Sequence, residues 1–152
     1  MCSSDLHDLN NGEELLSYPH KTRYEVNAAQ PLDLGERALL ASAYGKGAVL
    51  LNLIDLRPRV LWESSGVACQ MASMVQIDDR AYGINGQTGA NASRASLFCL
   101  DLKNGRKIWE EQGFGVGTLI LVDGILVVMS DRGELTLIKP ADSGYLELSR
   151  FQ

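Results

Sequence analysis

The sequence predicts an all-β fold assembled from repeated four-stranded units, and three observations carry that prediction. First, one element recurs. "CLDLKNGRKIWEE" at 99–111 matches "LIDLRPRVLWES" at 53–64, with one residue fewer in the turn, and "HDLNNGEELLSY" at 7–18, where Leu16 stands in place of the Trp. Second, Asp8, Asp55 and Asp101 follow one another at 47 and 46 residues, a period at which a self-similar chain builds arrays of supersecondary units. Third, the apolar runs between these elements are short, rich in Val, Ile, Leu and Tyr, and bounded by Gly and Asp, which is the pattern of antiparallel strands. No stretch sustains the 3.6-residue period of a helix. Residues 12–17 could pass for a helical turn, but their place in the repeat makes them a strand.

Taken in order, residues 7–17 are the last two strands of a unit. The segments "PLDLGERALLAS" (31–42), "MVQIDDRAYGIN" (74–85) and "LILVDGILVVMS" (119–130) then share one plan: an apolar strand, a short acidic or Gly turn, and a second apolar strand. A further turn follows in each: Gly45-Lys46-Gly47, the longer Asn85 to Ser96, and Asp131-Arg132-Gly133. The third and fourth strands carry the Asp-to-Trp element, with a fainter copy, "LIKPADSGYLELSRF" (137–151), in which Lys139 replaces the Asp. The units therefore run 18–62, 63–109 and 110–151. A four-stranded meander of about 45 residues is the size of a propeller blade. The predicted architecture is a partial β-propeller of about three and a half blades, and closed rings typically need about 4–8. Both ends fall within the pattern, so the gene is expected to extend beyond both. Residues 1–6, "MCSSDL", are read as a non-native leader, because their back-translation fits the end of a common sequencing adapter and the repeat begins immediately after them.

Bulk composition narrows the function classes. The chain of 152 residues is 45% hydrophobic and 22% charged, enough for a sizeable core. A net charge of −5 without a Lys/Arg cluster disfavours a nucleic-acid groove or an anionic membrane surface. The longest apolar run, Thr118 to Met129, is interrupted by Asp123-Gly124 and falls short of the roughly 20 residues of a membrane helix. Cys2, Cys69 and Cys99 form no CxxC or Cys/His cluster, so no zinc site is expected. Cys69 and Cys99 could pair, and buried free thiols are the expected state. No signal peptide is visible in residues 1–152.

The recurring turn has a physical explanation. A short Asp side chain accepts backbone N–H bonds across its own turn, and Asn104-Gly105 tolerates the positive φ a tight hairpin requires. Trp109 has a large flat face to bury and one N–H to satisfy. Recurring once per unit, it is expected to pack in the seam between blades, in preference to stacking on a cofactor. With Cys99, Asp101, Asn104, Gly105 and Trp109 in place, the element resembles the tryptophan-docking motif of the pyrroloquinoline quinone (PQQ) repeat, Ala-x-Asp-x-x-Thr-Gly-x-x-x-Trp, with Cys for Ala and Asn for Thr. A second copy keeps Asp55 and Trp62 around Pro58, and a third keeps Asp8, Asn11 and Gly12 without the Trp. The resemblance covers residues 7–151 and implies an eight-bladed type of propeller, placing the chain among PQQ-binding-like propeller proteins of bacteria, which are mostly exported. Some members of that superfamily are quinoprotein dehydrogenases with PQQ and calcium on the ring axis. Others bind no cofactor, such as the lipoprotein of the outer-membrane protein assembly machinery.

The residues that would carry dehydrogenase chemistry are not visible. No two cysteines are adjacent, Asp78-Asp79 sits at a turn position shared with Gly35-Glu36 and Asp123-Gly124, and Glu63 and Glu110 fall on solvated strand faces. His7 and His20 lack the Ser and Asp spacing of a triad. "GKG" (45–47) and "GFGVG" (113–117) lack the following helix of a phosphate loop. No catalytic, cofactor or metal residue is therefore predicted. The one unusual loop is 85–96, "NGQTGANASRAS", whose Asn85, Gln87, Asn91 and Arg94 are candidate ligand-face residues, since loops on a rigid scaffold are where binding tends to sit. A tolerated surface insertion is the plainer alternative. The sequence thus predicts a non-catalytic binding scaffold, periplasmic or otherwise exported, with a protein or cell-surface partner and a tendency to self-associate. The alternative is part of a PQQ- and calcium-dependent dehydrogenase. A seven-bladed WD-type scaffold is disfavoured because Trp62 and Trp109 are each followed by Glu.

Overall fold

The computed structural model describes residues 4–89 and 92–152. A two-stranded sheet, β1 (Ser4–His7) and β2 (Glu14–Tyr18), is followed by three four-stranded ones. The second sheet is β3 (Leu32–Asp33), β4 (Arg37–Ser42), β5 (Gly47–Asn52) and β6 (Arg59–Ser64). The third is β7 (Val75–Ile77), β8 (Arg80–Asn85), β9 (Ser96–Asp101) and β10 (Lys107–Gln112). The fourth is β11 (Thr118–Val122), β12 (Ile125–Met129), β13 (Leu135–Ile138) and β14 (Glu147–Phe151). Every sheet is an antiparallel meander in which each strand pairs with its sequence neighbour. The architecture is the partial β-propeller read from the sequence. Residues 4–6, read from the sequence as leader, form most of β1; residues 1–3 lie outside the described residues.

Local chemistry sets the hairpins. Asp123 and Gly124 close β11 onto β12 with φ of 47° and 76°, the two positive values that a twist-matched two-residue turn requires. The third strands of the second and third sheets are buried on both faces: Ala48 to Leu51 in β5 and Ser96 to Leu100 in β9. That is why they read as unbroken apolar runs and not as alternation.

The core lies between the sheets. Leu39, Ala41 and Leu50 of the second sheet pack with Ala81, Phe98 and Leu100 of the third. Tyr82, Ile84, Leu97 and Cys99, from the other face of the third sheet, pack with Leu119, Leu126, Val128 and Ile138 of the fourth. Leu40, Val49 and Leu51 meet Tyr18 of the first sheet. Cys69 and Cys99 are both buried free thiols, and burial pushes the Cys69 thiol up to about 12.

One irregularity is common to all four sheets. Pairing between the last two strands skips one residue: Leu15, Leu61, Ile108 and Leu148 have no cross-strand partner. Such a β-bulge re-phases the strand and re-aims the following side chain. Lys107 lies opposite Leu100 and Trp109 opposite Cys99, so the bulge sends these two residues to opposite faces. The four skipped residues are apolar, yet between 36% and 50% exposed.

Candidate binding face and blade seams

Two kinds of construction use the chemistry-bearing side chains: the seams between sheets, and one end of the sheets where long connections gather.

At the seam between the second and third sheets, the Trp62 indole Nε1–H donates to the Leu102 carbonyl at 2.9 Å. Its ring lies on Gly105, where a Cβ would come within 2.6 Å of the ring and where φ is +71°. Only glycine meets both conditions without strain. At the next seam the Trp109 Nε1–H donates to the Ala141 carbonyl at 2.7 Å. The ring tilts against Tyr82 at 6.0 Å between centroids. Each indole thus crosses from its own sheet to a turn of the following one.

The turn at 101–106 supplies one of those carbonyls. Asp101 Oδ1 accepts the Lys103 N–H at 2.8 Å, and Asn104 Oδ1 accepts the Arg106 N–H at 3.0 Å. Asp101 also accepts from the Asn104 amide at 3.3 Å. Arg80 binds both oxygens of Asp142 at 2.8 and 2.7 Å and lies 3.6 Å from Asp101. Its guanidinium pulls the Asp142 carboxyl below its ordinary range. Lys103 does the same to Asp79 across a 2.7 Å ion pair.

The structure corrects one residue of the motif. The second-sheet counterpart of Asp101 is Asn52, not Asp55. Each ends a third strand and pairs with the first residue of the second strand, Arg37 or Arg80. Asn52 Oδ1 accepts the Ile54 N–H at 2.9 Å, the bond that Asp101 makes to Lys103. Asp55 sits in the turn Ile54–Leu56 with φ of 60°. The link between β5 and β6 is longer than its counterpart between β9 and β10, so aligning the copies by their aspartates shifts the frame. A short side chain that accepts the N–H two residues on does not have to be a carboxylate.

At one end of the sheets, the connections between sheets meet the turns that join second to third strands. Asn85 Oδ1 accepts the Ala68 N–H at 2.7 Å, and Gly86 N–H donates to the Ala68 carbonyl at 2.9 Å. Gln70, buried, clamps both sides: its Oε1 accepts the Thr88 N–H at 2.6 Å, and its amide donates to the Tyr44 hydroxyl at 2.7 Å. The start of the 85–96 loop is therefore built into the scaffold. Of the candidate ligand-face residues, Asn85 and Gln87 are half-buried and Arg94 is exposed. Asn91 lies outside the described residues. Beside the loop opens a groove of about 270 Å³ lined by Met71, Ala72, Val116, Met129 and Asp131, and Met71 is 57% exposed. Gly117 forms its wall, where a Cβ would meet the Met129 carbonyl at 2.1 Å. Sequence reading missed Gln70, Met71 and Met129; the only signal was one Gln among the small and apolar residues of the connection 65–74.

His20 is 1% exposed, and among the described residues neither ring nitrogen has a hydrogen-bond partner. Burial, reinforced by Lys46, lowers its pKa to about 4. Among the described residues, Asp5, His7 and Glu14 bring metal-type donor atoms within 4.8 Å of one another. All three are exposed, and a cation at roughly 2.1 Å from each donor would have to tighten that spacing.

No family model and no curated protein sequence matches this chain. Among solved structures it is similar to BamB from Moraxella catarrhalis, with a TM-score of 0.64 at 16% identity. The match covers 99% of this chain and 46% of that one, so the chain spans less than half of the structure it resembles. At that identity the likeness is one of fold, a β-propeller.

Proposed function

We propose that this chain belongs to a non-catalytic β-propeller binding scaffold of the PQQ-binding-like repeat type, exported from the cytoplasm, which engages a protein or cell-surface partner through the face carrying 65–74 and 85–96. The observation that carries this reading is the groove between Met71 and Met129 beside a loop pinned by Gln70. Exposed methionines on a rigid frame make an adaptable apolar contact surface, and Asp131 at the rim adds a charge to orient a partner. At the blade seams the side chains of the repeat have structural employment: both indole N–H groups are spent on the following sheet, and Asp101 is spent on its own turn. The fold likeness to BamB is compatible with a scaffold and does not choose a partner. Among the described residues, no helix is long and apolar enough to cross a membrane.

The test places a photo-reactive amino acid at Met71 and irradiates the protein with a cell-envelope fraction. Discrete adducts that disappear in a Met129→Glu variant support the reading. Titration with PQQ and calcium is the counter-test. Saturable quenching of Trp fluorescence at micromolar PQQ overturns it in favour of a quinoprotein dehydrogenase.

A further inference from the structure

The end of the sheets that holds the Met71 groove is cationic, in a chain of net charge −5. Its connections and turns carry Lys21, Arg23, Lys46, Arg94 and Arg132 against the carboxylates Glu25, Asp131 and Glu134. Two of these carboxylates have partners of their own: Asp131 accepts the Val116 N–H at 3.3 Å, and Glu134 pairs with Arg150 at 3.5 Å. Among the described residues none of those five cations makes an ion pair. At the opposite end cations are neutralised, Arg80 by Asp101 and Asp142 and Lys103 by Asp79.

Two of the unpaired cations flank a pair of tyrosines. Arg23 lies over the Tyr24 ring at 5.4 Å, and Tyr24 meets Tyr44 edge-on at 4.9 Å. Lys46, two residues after Tyr44, lies close enough to the buried His20 to lower its pKa. The connection that presents Arg23 and Tyr24 is pinned. Val26 N–H donates to Thr22 Oγ1 at 2.7 Å, the Asn27 amide donates to the His20 carbonyl at 2.7 Å, and the Ser42 hydroxyl donates to Asn27 Oδ1 at 2.8 Å. Tyr24 is nevertheless 59% exposed. The Tyr44 hydroxyl accepts from Gln70, which joins the tyrosines to the connection that carries Met71. Exposed Tyr, Arg and Met are the residues that concentrate at the centre of interfaces, and holding them in place beforehand lowers the entropy cost of binding.

We propose that this patch recognises an acidic segment of the partner protein, with carboxylates on Arg23 and Lys46 and an apolar or aromatic side chain on Tyr24. The proposal rests on the reading of this end as the binding face and adds the chemistry of what it binds. Charge complementarity selects the occupant, because unpaired cations draw in an acidic segment and repel a basic one. Glu25 and Asp131 interrupt the cations, which suits spaced carboxylates better than the unbroken charge of a nucleic-acid backbone.

The probe is a fluorescent synthetic peptide in which Glu alternates with Tyr, titrated into the 152-residue chain. The expected result is saturable binding that weakens by about tenfold or more in Arg23→Glu/Lys46→Glu, and likewise when Gln replaces Glu in the peptide. A peptide with Lys in place of Glu should bind this reversed variant better than it binds the original chain. Arg57→Glu/Arg59→Glu makes the same change in charge in the link between β5 and β6, at the opposite end, and should leave the affinity unchanged. Should the reversed variant fail to fold, the Gln peptide decides on the unmodified chain. Absence of saturable binding, equal binding of the Gln peptide, or an equal loss in Arg57→Glu/Arg59→Glu overturns the proposal. So does a single-stranded oligonucleotide that displaces the peptide and binds more tightly, or a dimer, seen by light scattering, that the reversed variant abolishes. The patch would then belong to nucleic acid or to a second copy. Photo-adducts at Met71 formed in equal yield by the reversed variant would overturn the acidic segment and leave the binding face standing, so the two failures are distinct results.

Discussion

Trp109 is held by apolar packing and by one hydrogen bond, and the two contributions separate by substitution. Trp109→Ala is expected to cost about 3–5 kcal/mol, the range for removing a large packed aromatic. Trp109→Phe should cost less, retaining area but leaving the Ala141 carbonyl without its donor. Asp101→Ala should cost about 1 kcal/mol, for the turn bonds it accepts. Chemical denaturation of the three variants checks the order. Gly105→Ala should be worse than Gly133→Ala: both have positive φ, but only Gly105 lies against an indole. Left-handed backbone alone costs about 1–2 kcal/mol, and the Gly105 variant adds displacement of Trp62 to that. His20 gives a pH dependence. Its folded pKa, about 4, lies below its unfolded value, so on acidification the unfolded chain takes up the proton first. Stability should therefore fall between about pH 6.5 and pH 4, by about 3 kcal/mol at most, and stay level above that window. Denaturation midpoints across this range should lose this component in His20→Leu.

At the scale of single strands and loops, the bulge separates two classes of apolar residue that look alike in sequence. Ile108 and Leu100 both belong to apolar strands, but Ile108 is the skipped, exposed residue and Leu100 is fully buried. Ile108→Thr should change stability by no more than about 0.5 kcal/mol. Leu100→Ala should cost about 2–5 kcal/mol. The 85–96 loop behaves as two parts. Its start is clamped by Gln70, so Gln70→Ala should speed amide exchange at Thr88 while the amides of β8 and β9 keep their protection. Exchange read by mass spectrometry checks this, and equal protection of Thr88 in both proteins would remove the clamp from the account.

For the whole molecule, the face of the fourth sheet turned away from the third sets solution behaviour. Ile120 is 56% exposed and Val122 46%, on a strand with no charge among Thr118–Val122. Apolar strands of that kind template association. The chain alone is expected to be β-rich and self-associating, more so as concentration rises, and Ile120→Lys should reduce the association. Size-exclusion chromatography with light scattering over a concentration series reads both. A stable monomer at every concentration would mean that this face is closed in solution.

Much of this molecule was legible from local order. A repeat of Asp, Asn-Gly and Trp at a spacing near 46 residues determines four-stranded meanders, because each hairpin depends on residues only a few positions apart. Apolar runs bounded by Gly and Asp located the strands, but not which of them are buried on both faces: Gly47–Asn52 and Ser96–Asp101 are, while Thr118–Val122 is largely exposed. Trp62 and Trp109 were assigned to seams for the same reason: one large side chain per unit needs a neighbour. The carbonyls they reach, Leu102 and Ala141, lie 40 and 32 residues further along the chain. No local pattern specifies them, because they are fixed by how one sheet leans on the next. The frame shift between Asp55 and Asn52 has the same origin, since strand register, and not residue identity, decides which side chain meets the turn. The Gln70 clamp and the groove between Met71 and Met129 exist only where distant segments converge. Tertiary structure alone decided them, because each depends on the volume left between sheets.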